Sequence, residues 1–374
     1  MSTSQSMTSG AGRSSARHQR AARRWRGSLW GLALMLTLAM LLPGVSLLVG
    51  LAGPAGAQPA AETTNPRANF YRAVRAGEPG YTAVRGAETG VLIQNGGQNW
   101  RQLRNGPLAL YGAWAMLVMV ILLAMFFAVR GRVRLDGPRT GRLLARWSVV
   151  DRFVHWYTAV LFVIMAITGL SMLFGRAVLI PVFGKAANAA WAQIALTLHN
   201  TLGPALAIGV VLMIGLWMRH NLPTGTDLRW FLKGGGMLGR SHPDAGFANG
   251  GEKVWFWIVA IVGGVGVIVT GLMLDFQPSL PFLTRELAQD YHIVHVTAAF
   301  IWICVWLGHA YIGTLGSEGS FEAMWTGHVD ETWARQHHNL WYEEVLVEAE
   351  EDARDADAQT QTSARATPAT TGSS

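Results

Sequence analysis

Residues 291–311 read YHIVHVTAAFIWICVWLGHAY, a run of 21 residues with three histidines and no Asp, Glu, Lys or Arg. A hydrocarbon core about 30 Å thick needs roughly 20 apolar residues of helix to cross it, so the stretch predicts a transmembrane helix. Ionisable groups at membrane depth are costly and read as functional. His295 and His309 are 14 residues apart. At 100° per residue that is about 1400°, some 40° short of four full turns, so both imidazoles share a face about 21 Å apart along the axis. His292 is 17 residues from His309 and falls about 100° off that face, which makes His295 the preferred ligand of the two.

Working outward, uncharged windows of similar length lie between Arg26 and Glu62, Arg104 and Arg130, Arg152 and Arg176, Lys185 and Arg219, and Lys253 and Asp275. They predict helices near 28–50, 108–129, 153–174, 193–217 and 254–274, with the last near 291–314. The composition agrees, with 51% hydrophobic and 14% charged residues against about 25% charged in soluble chains. The 30 basic and 23 acidic residues give +7, but the positive charge sits in blocks beside apolar windows. There is no aromatic-interleaved basic face for nucleic acid. A single cysteine, Cys304, excludes an intrachain disulfide, a four-cysteine zinc site and a cysteine-held iron–sulfur cluster within the chain.

Residues 1–57 read as a signal sequence: basic residues up to Arg26, an apolar run, and Pro54-Ala55-Gly56-Ala57 before Gln58, the small-residue form of a cleavage site. An uncleaved anchor is the alternative. Residues 58–107 are then periplasmic, 108–129 an additional transmembrane helix, 130–152 a cytoplasmic arginine-rich linker and 153–314 a four-helix domain, with 315–374 a cytoplasmic tail. The seven arginines of 130–152 and the five basic residues of 218–253 obey the positive-inside rule, whereas the arginines of 58–107 strain it. The acidic tail predicts disorder after about residue 355.

In this topology His155 shares the cytoplasmic level of His309, and His199 the outer level of His295. Two histidines facing across a bundle fit the axial positions of a b-type haem, each giving one nitrogen to iron while its other ring nitrogen is held by an acceptor. Zinc is disfavoured, since the helices offer no carboxylate at those depths. Gly169, Gly203, Gly271, Gly308 and Gly313 suit either approach of a flat macrocycle or ordinary helix packing. His220, His242, His328, His337 and His338 read as solvated or near headgroups. No internal repeat is apparent. The expected fold is an all-α integral membrane protein: a four-helix di-haem cytochrome b bundle with one extra N-terminal transmembrane helix and a signal peptide.

Residues 147–345 resemble the cytochrome b, or gamma, subunit of membrane-bound respiratory formate dehydrogenase. The matching pieces are Asp151-Arg152-Phe153-Val154-His155-Trp156, Leu198-His199-Asn200, Arg219-His220-Asn221-Leu222-Pro223, Asn249-Gly250-Gly251-Glu252-Lys253, Ile293-Val294-His295, Gly308-His309-Ala310-Tyr311 and His337-His338-Asn339-Leu340-Trp341-Tyr342. The resemblance implies two haems b, the outer on His199 and His295 and the inner on His155 and His309. It also implies a periplasmic iron–sulfur beta subunit as donor, and menaquinone or ubiquinone as acceptor beside Asn249, Gly251 and His309. In that family a molybdenum or tungsten pterin alpha subunit oxidises the formate, so the resemblance implies that this chain is an electron-transfer subunit in the bacterial inner membrane without a formate-oxidising centre. The chain departs from the pattern at Glu252, where a similar subunit has an amide, and residues 1–130 have no counterpart in the short family form. The alternatives are the cytochrome b subunit of a membrane hydrogenase or other molybdoenzyme, and a haem-free membrane scaffold or transporter.

Overall fold

A computed structural model describes Arg72 and residues 95–236 and 242–366 of the 374-residue chain. The helix expected near 28–50 lies outside the described residues. The chain divides into two compact units, Met1–Arg72 with Ala124–Gly131 and Ala73–Leu123 with Arg132–Ser374. In the first unit the described residues besides Arg72 are the last turns of a helix, ending where Gly131 takes φ 69° and donates its N–H to Phe127 O at 2.8 Å.

The second unit begins with α1 (Asn95–Leu103), which passes through a π-helical turn at Arg104–Leu108 into α2 (Ala109–Arg130), of which Ala109–Leu123 belong to this unit. It continues with α3 (Val149–Phe174), α4 (Ile180–Trp217) and the short α5 (Gly225–Leu232). Next, α6 (Gly250–Ile258) runs through π-helical Val259–Val269 into α7 (Thr270–Asp275), followed by α8 (Arg285–Tyr311). Among the described residues, four continuous helical segments are long and apolar enough to cross a membrane: Gly97–Arg130, Val149–Asn221, Gly250–Asp275 and Arg285–Gly316. The second, at 73 residues, is long enough for two crossings, and Gly184 at φ 82° and ψ 168° breaks its helical path. The two halves run antiparallel, with Tyr157 Oη donating to Ala205 O at 3.0 Å and Thr168 meeting His199.

The helices outrun the apolar windows that announce them, since hydropathy senses the hydrocarbon and not the capping chemistry. Instead of starting at 153, α3 starts at Val149, where Ser148 and Asp151 exchange side-chain and backbone hydrogen bonds at 3.1 and 3.2 Å. The helix expected from 254 starts at Gly250 behind the Asn249–Glu252 box, and α8 starts at Arg285 behind Thr284, whose hydroxyl accepts the Leu287 N–H at 3.2 Å. In the core, Leu161 and Phe162 of α3 meet Leu206 and Val210 of α4, Val259, and Trp302 and Ile303 of α8. α2 docks on α8 at Gly112, where a Cβ would lie 2.1 Å from the Phe300 ring. Only glycine permits that approach.

The stretches read separately as linker 130–152 and tail 315–374 fold together at the arginine-rich end. β1 (Leu143–Ala145) pairs antiparallel with β2 (His328–Asp330), placing Leu143, Leu144 and Ala145 opposite Asp330, Val329 and His328. Around this pair lie α9 (Ser320–Trp325), α10 (Glu331–His337) and α11 (Asn339–Ala366), and Leu144, Val329, Trp333, Ala334 and Trp341 form a second core. Three-residue strands carry too little alternation to be read from either segment alone. Helix α11 runs to Ala366. Ala and Glu are strong helix formers, and Glu350 pairs with Arg354 one turn on at 3.6 Å.

Arg146 and His338 hold this cap. The Arg146 guanidinium donates to Phe247 O at 2.7 Å and lies 4.8, 5.0 and 4.9 Å from the ring centroids of Phe247, Trp333 and Trp341. Burial draws it down to about 10, against the opposing attraction of Glu252. His338 is 1% exposed, which corrects its reading as a solvated residue. Its Nδ1 is 2.8 Å from Gly246 O, a group that only accepts, so Nδ1 carries the proton; Nε2, 3.2 Å from Arg146 Nη2, then accepts. Both ring nitrogens are satisfied only when the imidazole is neutral. Burial and then the Arg146 charge hold His338 well below the usual histidine range. The folded state therefore binds fewer protons here than the unfolded chain, and stability present above about pH 6.5 is lost as pH falls below it. Hydrogen exchange over residues 320–345, corrected for intrinsic rates, is expected to quicken from pH 7.5 to pH 5, and His338→Gln to flatten that trend. An unchanged trend in His338→Gln would assign it to His337, which burial lowers to about 4.

Candidate functional site: two histidine pairs across the bundle

The four expected histidines come together two by two. His199 of α4 and His295 of α8 have ring centroids 6.2 Å apart at an interplanar angle of 79°, and His155 of α3 and His309 of α8 are 6.2 Å apart at 56°. His292 does not face His199; its ring packs edge-on against Trp100 at 5.4 Å. Among the described residues no third His, Cys, Asp or Glu joins either pair.

The first pair is held by a matched device on two helices. Thr168 of α3 donates its hydroxyl proton to Ile164 O at 2.8 Å, so its oxygen is left to accept from His199 Nδ1 at 2.9 Å. Thr270 of α7 donates to Gly266 O and stands 3.2 Å from His295 Nδ1, which also lies 3.0 Å from Val267 O. Carbonyls only accept, so His295 carries its proton on Nδ1. In both residues Nε2 keeps its lone pair, and no described residue hydrogen-bonds to it. The residue after each threonine is glycine, and a Cβ there would lie 3.1 Å (Gly169) or 3.0 Å (Gly271) from the Cε1 of the histidine it faces. Thr-Gly-Leu thus occurs at 168–170 and again at 270–272, one copy behind each histidine. The two threonines escaped the sequence reading, although this recurrence of three residues was the signal that could have found them.

The second pair is held by aromatic packing. His309 stacks on Trp255 of α6 at 4.8 Å and 5°, while His155 packs between Trp156 at 5.1 Å and Trp217 at 6.4 Å. The Nδ1 of His155 is buried without a partner among the described residues. A Cβ on Gly308, beside His309, would meet nothing within 4 Å.

Two imidazoles bound to one metal ion from opposite sides, at about 2 Å through a ring nitrogen each, have centroids about 6.3 Å apart. Both pairs fit that arrangement. Two neutral nitrogen donors and no carboxylate suit the axial positions of a haem iron rather than a tetrahedral cation.

Asn249 and Gly251 sit at the N-terminus of α6, the helix that carries Trp255. Asn249 Oδ1 accepts the Glu252 N–H at 3.0 Å and Glu252 Oε2 accepts the Asn249 N–H at 3.0 Å, a reciprocal cap. A Cβ on Gly251 would lie 3.0 Å from the Trp230 ring. Glu252, the departure from the pattern, also approaches Arg146 at 3.8 Å and His338 at 3.7 Å, tying α6 to the cap. A neutral amide there would lose the charge partner of Arg146.

The prokaryotic cytochrome b561 family matches residues 146–327. The chain is 28% identical over 208 residues to the nitrate-inducible formate dehydrogenase cytochrome b556(Fdn) subunit of Escherichia coli K12, covering 54% of this chain and 92% of that one. It is 29% identical over 212 residues to the formate dehydrogenase cytochrome b556(fdo) subunit of the same organism, covering 56% and 97%. To the formate dehydrogenase cytochrome b556 subunit of Haemophilus influenzae it is 30% identical over 215 residues, covering 56% and 87%. With the paired histidines, these matches identify the chain as a member of the cytochrome b561 family, among the cytochrome b subunits of formate dehydrogenase.

Proposed function

We propose that the chain carries electrons across the membrane to quinone as the cytochrome b subunit of a formate dehydrogenase, holding one haem b between His199 and His295 and a second between His155 and His309. The observation that carries this reading is the common 6.2 Å ring separation at two levels of one shared helix. Haems with two nitrogen ligands supply one-electron carriers with no open position for oxygen. The names of the relatives support membership of a formate dehydrogenase, and the proposal adds a periplasmic iron–sulfur subunit as donor and a molybdenum or tungsten pterin subunit as the formate-oxidising partner.

The arginine-rich segments 130–152 and 218–253 favour a cytoplasmic side for the cap, which puts His199 and His295 at the outer, inner-membrane periplasmic level. The direction of transfer follows from how the ligands are held. An acceptor on Nδ1 makes the imidazole a more basic ligand, and more basic ligands favour the oxidised iron. Thr168, Thr270 and Val267 O hold the outer pair in this way, whereas aromatic rings surround the inner pair. The outer ligand set is therefore the better donor and the inner set the better acceptor.

Quinone, menaquinone or ubiquinone, is placed at the head of α6, where Asn249, Gly251 and Trp230 meet and from which Trp255 leads to His309. Since Asn249 Oδ1 is committed to the cap, only its Nδ2 amide is free to donate to a quinone carbonyl.

Two measurements test the reading. His295→Ala should lower haem from two to one per chain in a pyridine haemochrome assay while His292→Ala keeps two; the reverse would move the ligand to His292. Asn249→Ser keeps a capping oxygen but lacks the amide donor. In the assembled complex it should leave both haems reducible by formate and slow their reoxidation by quinone about tenfold, the worth of one hydrogen bond. Reoxidation at the normal rate would remove Asn249 from the quinone site.

A further inference from the structure

The N-terminal segment brings a cluster of polar atoms to the His199–His295 level that neither the bundle nor the quinone site explains. Trp100 of α1 and Arg104 of the following π-helical turn lie against α8 at His292, one turn before His295. Trp100 Nε1, Arg104 Nε and His292 Nδ1 are each buried, and none has a hydrogen-bond partner among the described residues. They belong to one cluster: the Trp100 and His292 rings are 5.4 Å apart, and the Arg104 guanidinium carbon is 5.9 Å from the Trp100 ring centroid. Among the described residues the remaining Arg104 nitrogens reach only Asn105 Oδ1 at 2.7 Å and Met172 O at 3.5 Å, both neutral.

A buried donor without an acceptor is destabilising, and two of them, Trp100 Nε1 and Arg104 Nε, beside an unpartnered imidazole nitrogen and an unneutralised guanidinium call for an anionic oxygen ligand. Arginine, with its forked donors, is the usual partner of a carboxylate. The segment is held in place independently of the cluster, by Gly112 of α2 against Phe300 and by Met116 against the bundle core. Trp100 and Arg104 also precede residue 146, where the match to the cytochrome b561 family begins.

We infer that Trp100, Arg104 and His292 form a carboxylate-binding site that takes a propionate of the haem held by His199 and His295, which makes the N-terminal segment part of that cofactor site. The inference rests on the reading of His199 and His295 as haem ligands. The Arg104 guanidinium would neutralise the propionate and keep it from binding protons, while the indole N–H of Trp100 and the His292 imidazole complete its hydrogen bonds. A lipid phosphate or a free anion has the same oxygen chemistry and is the competing occupant.

The test uses the full chain in its complex. In Arg104→Gln, haem content should stay at two per chain, the midpoint potential of the outer haem should fall and become pH-dependent between pH 5 and 8, and the inner haem should be unchanged. Arg104→Lys should restore most of the difference. Loss of the outer haem alone in Arg104→Gln, with retention in Arg104→Lys, also supports the site. Unchanged potentials and pH profiles at both haems would overturn it and leave lipid phosphate or a free anion as the occupant. Should Arg104→Gln fail to assemble, the wild-type apoprotein decides. Haem dimethyl ester, whose propionates are blocked, should occupy the outer position at least about tenfold more weakly than haem b, the loss expected for a charge-assisted hydrogen bond. Equal affinity overturns the proposal. If His295→Ala retains both haems, the ligand reading fails instead, and the two failures are thereby told apart.

Discussion

An imidazole at membrane depth has no water to take its N–H, so each must find an acceptor on a neighbouring helix or pack into a ring environment. That constraint fixes the bundle. For His199 the acceptor is Thr168 and for His295 it is Val267 O with Thr270, each reached across a helix interface that glycine keeps narrow. The threonines meet the same constraint by returning their own protons to Ile164 O and Gly266 O one turn back. A chain of donors and acceptors thus runs from imidazole to hydroxyl to backbone, leaving on each ring an Nε2 lone pair with no hydrogen-bond partner among the described residues. The other pair meets the constraint differently, through Trp255, Trp156 and Trp217, and the proposed direction of transfer rests on this difference in support.

The cap at the arginine-rich end solves a related problem outside the hydrocarbon. Arg146 is buried as a cation among four aromatic rings and is kept there by Phe247 O, His338 and the nearby Glu252. Because Glu252 also caps α6, the charge that stabilises the cap helps set the first turn of the helix that carries Trp255 to His309. A change at this residue touches the cap, the helix start and the proposed quinone site together, which gives its departure from the family pattern a physical meaning.

Much of this was legible in the sequence because it rests on local periodicity. Uncharged windows locate the membrane helices, and the 14-residue spacing puts His295 and His309 on one face and sets His292 off it. What escaped depends on contacts between distant segments. Nothing local marks His338 as buried, since its partners Arg146 and Gly246 lie 192 and 92 residues away. β1 and β2 are too short to announce their pairing. Asn249 reads equally as a cap or a headgroup ligand, and the structure commits its oxygen to the cap. The Thr-Gly-Leu copies at 168 and 270 are visible in the sequence, but their purpose shows only once α4 and α8 lie against them.

The proposed electron path requires both histidine pairs to be axial ligand sets. Electron paramagnetic resonance with near-infrared magnetic circular dichroism of the oxidised, purified complex addresses it most directly, because the charge-transfer band reports the identity of both axial ligands. Two low-spin ferric haems per chain, both with bis-imidazole signatures, are expected. A single haem, a high-spin centre, or a band of histidine–methionine ligation at either level would contradict that requirement.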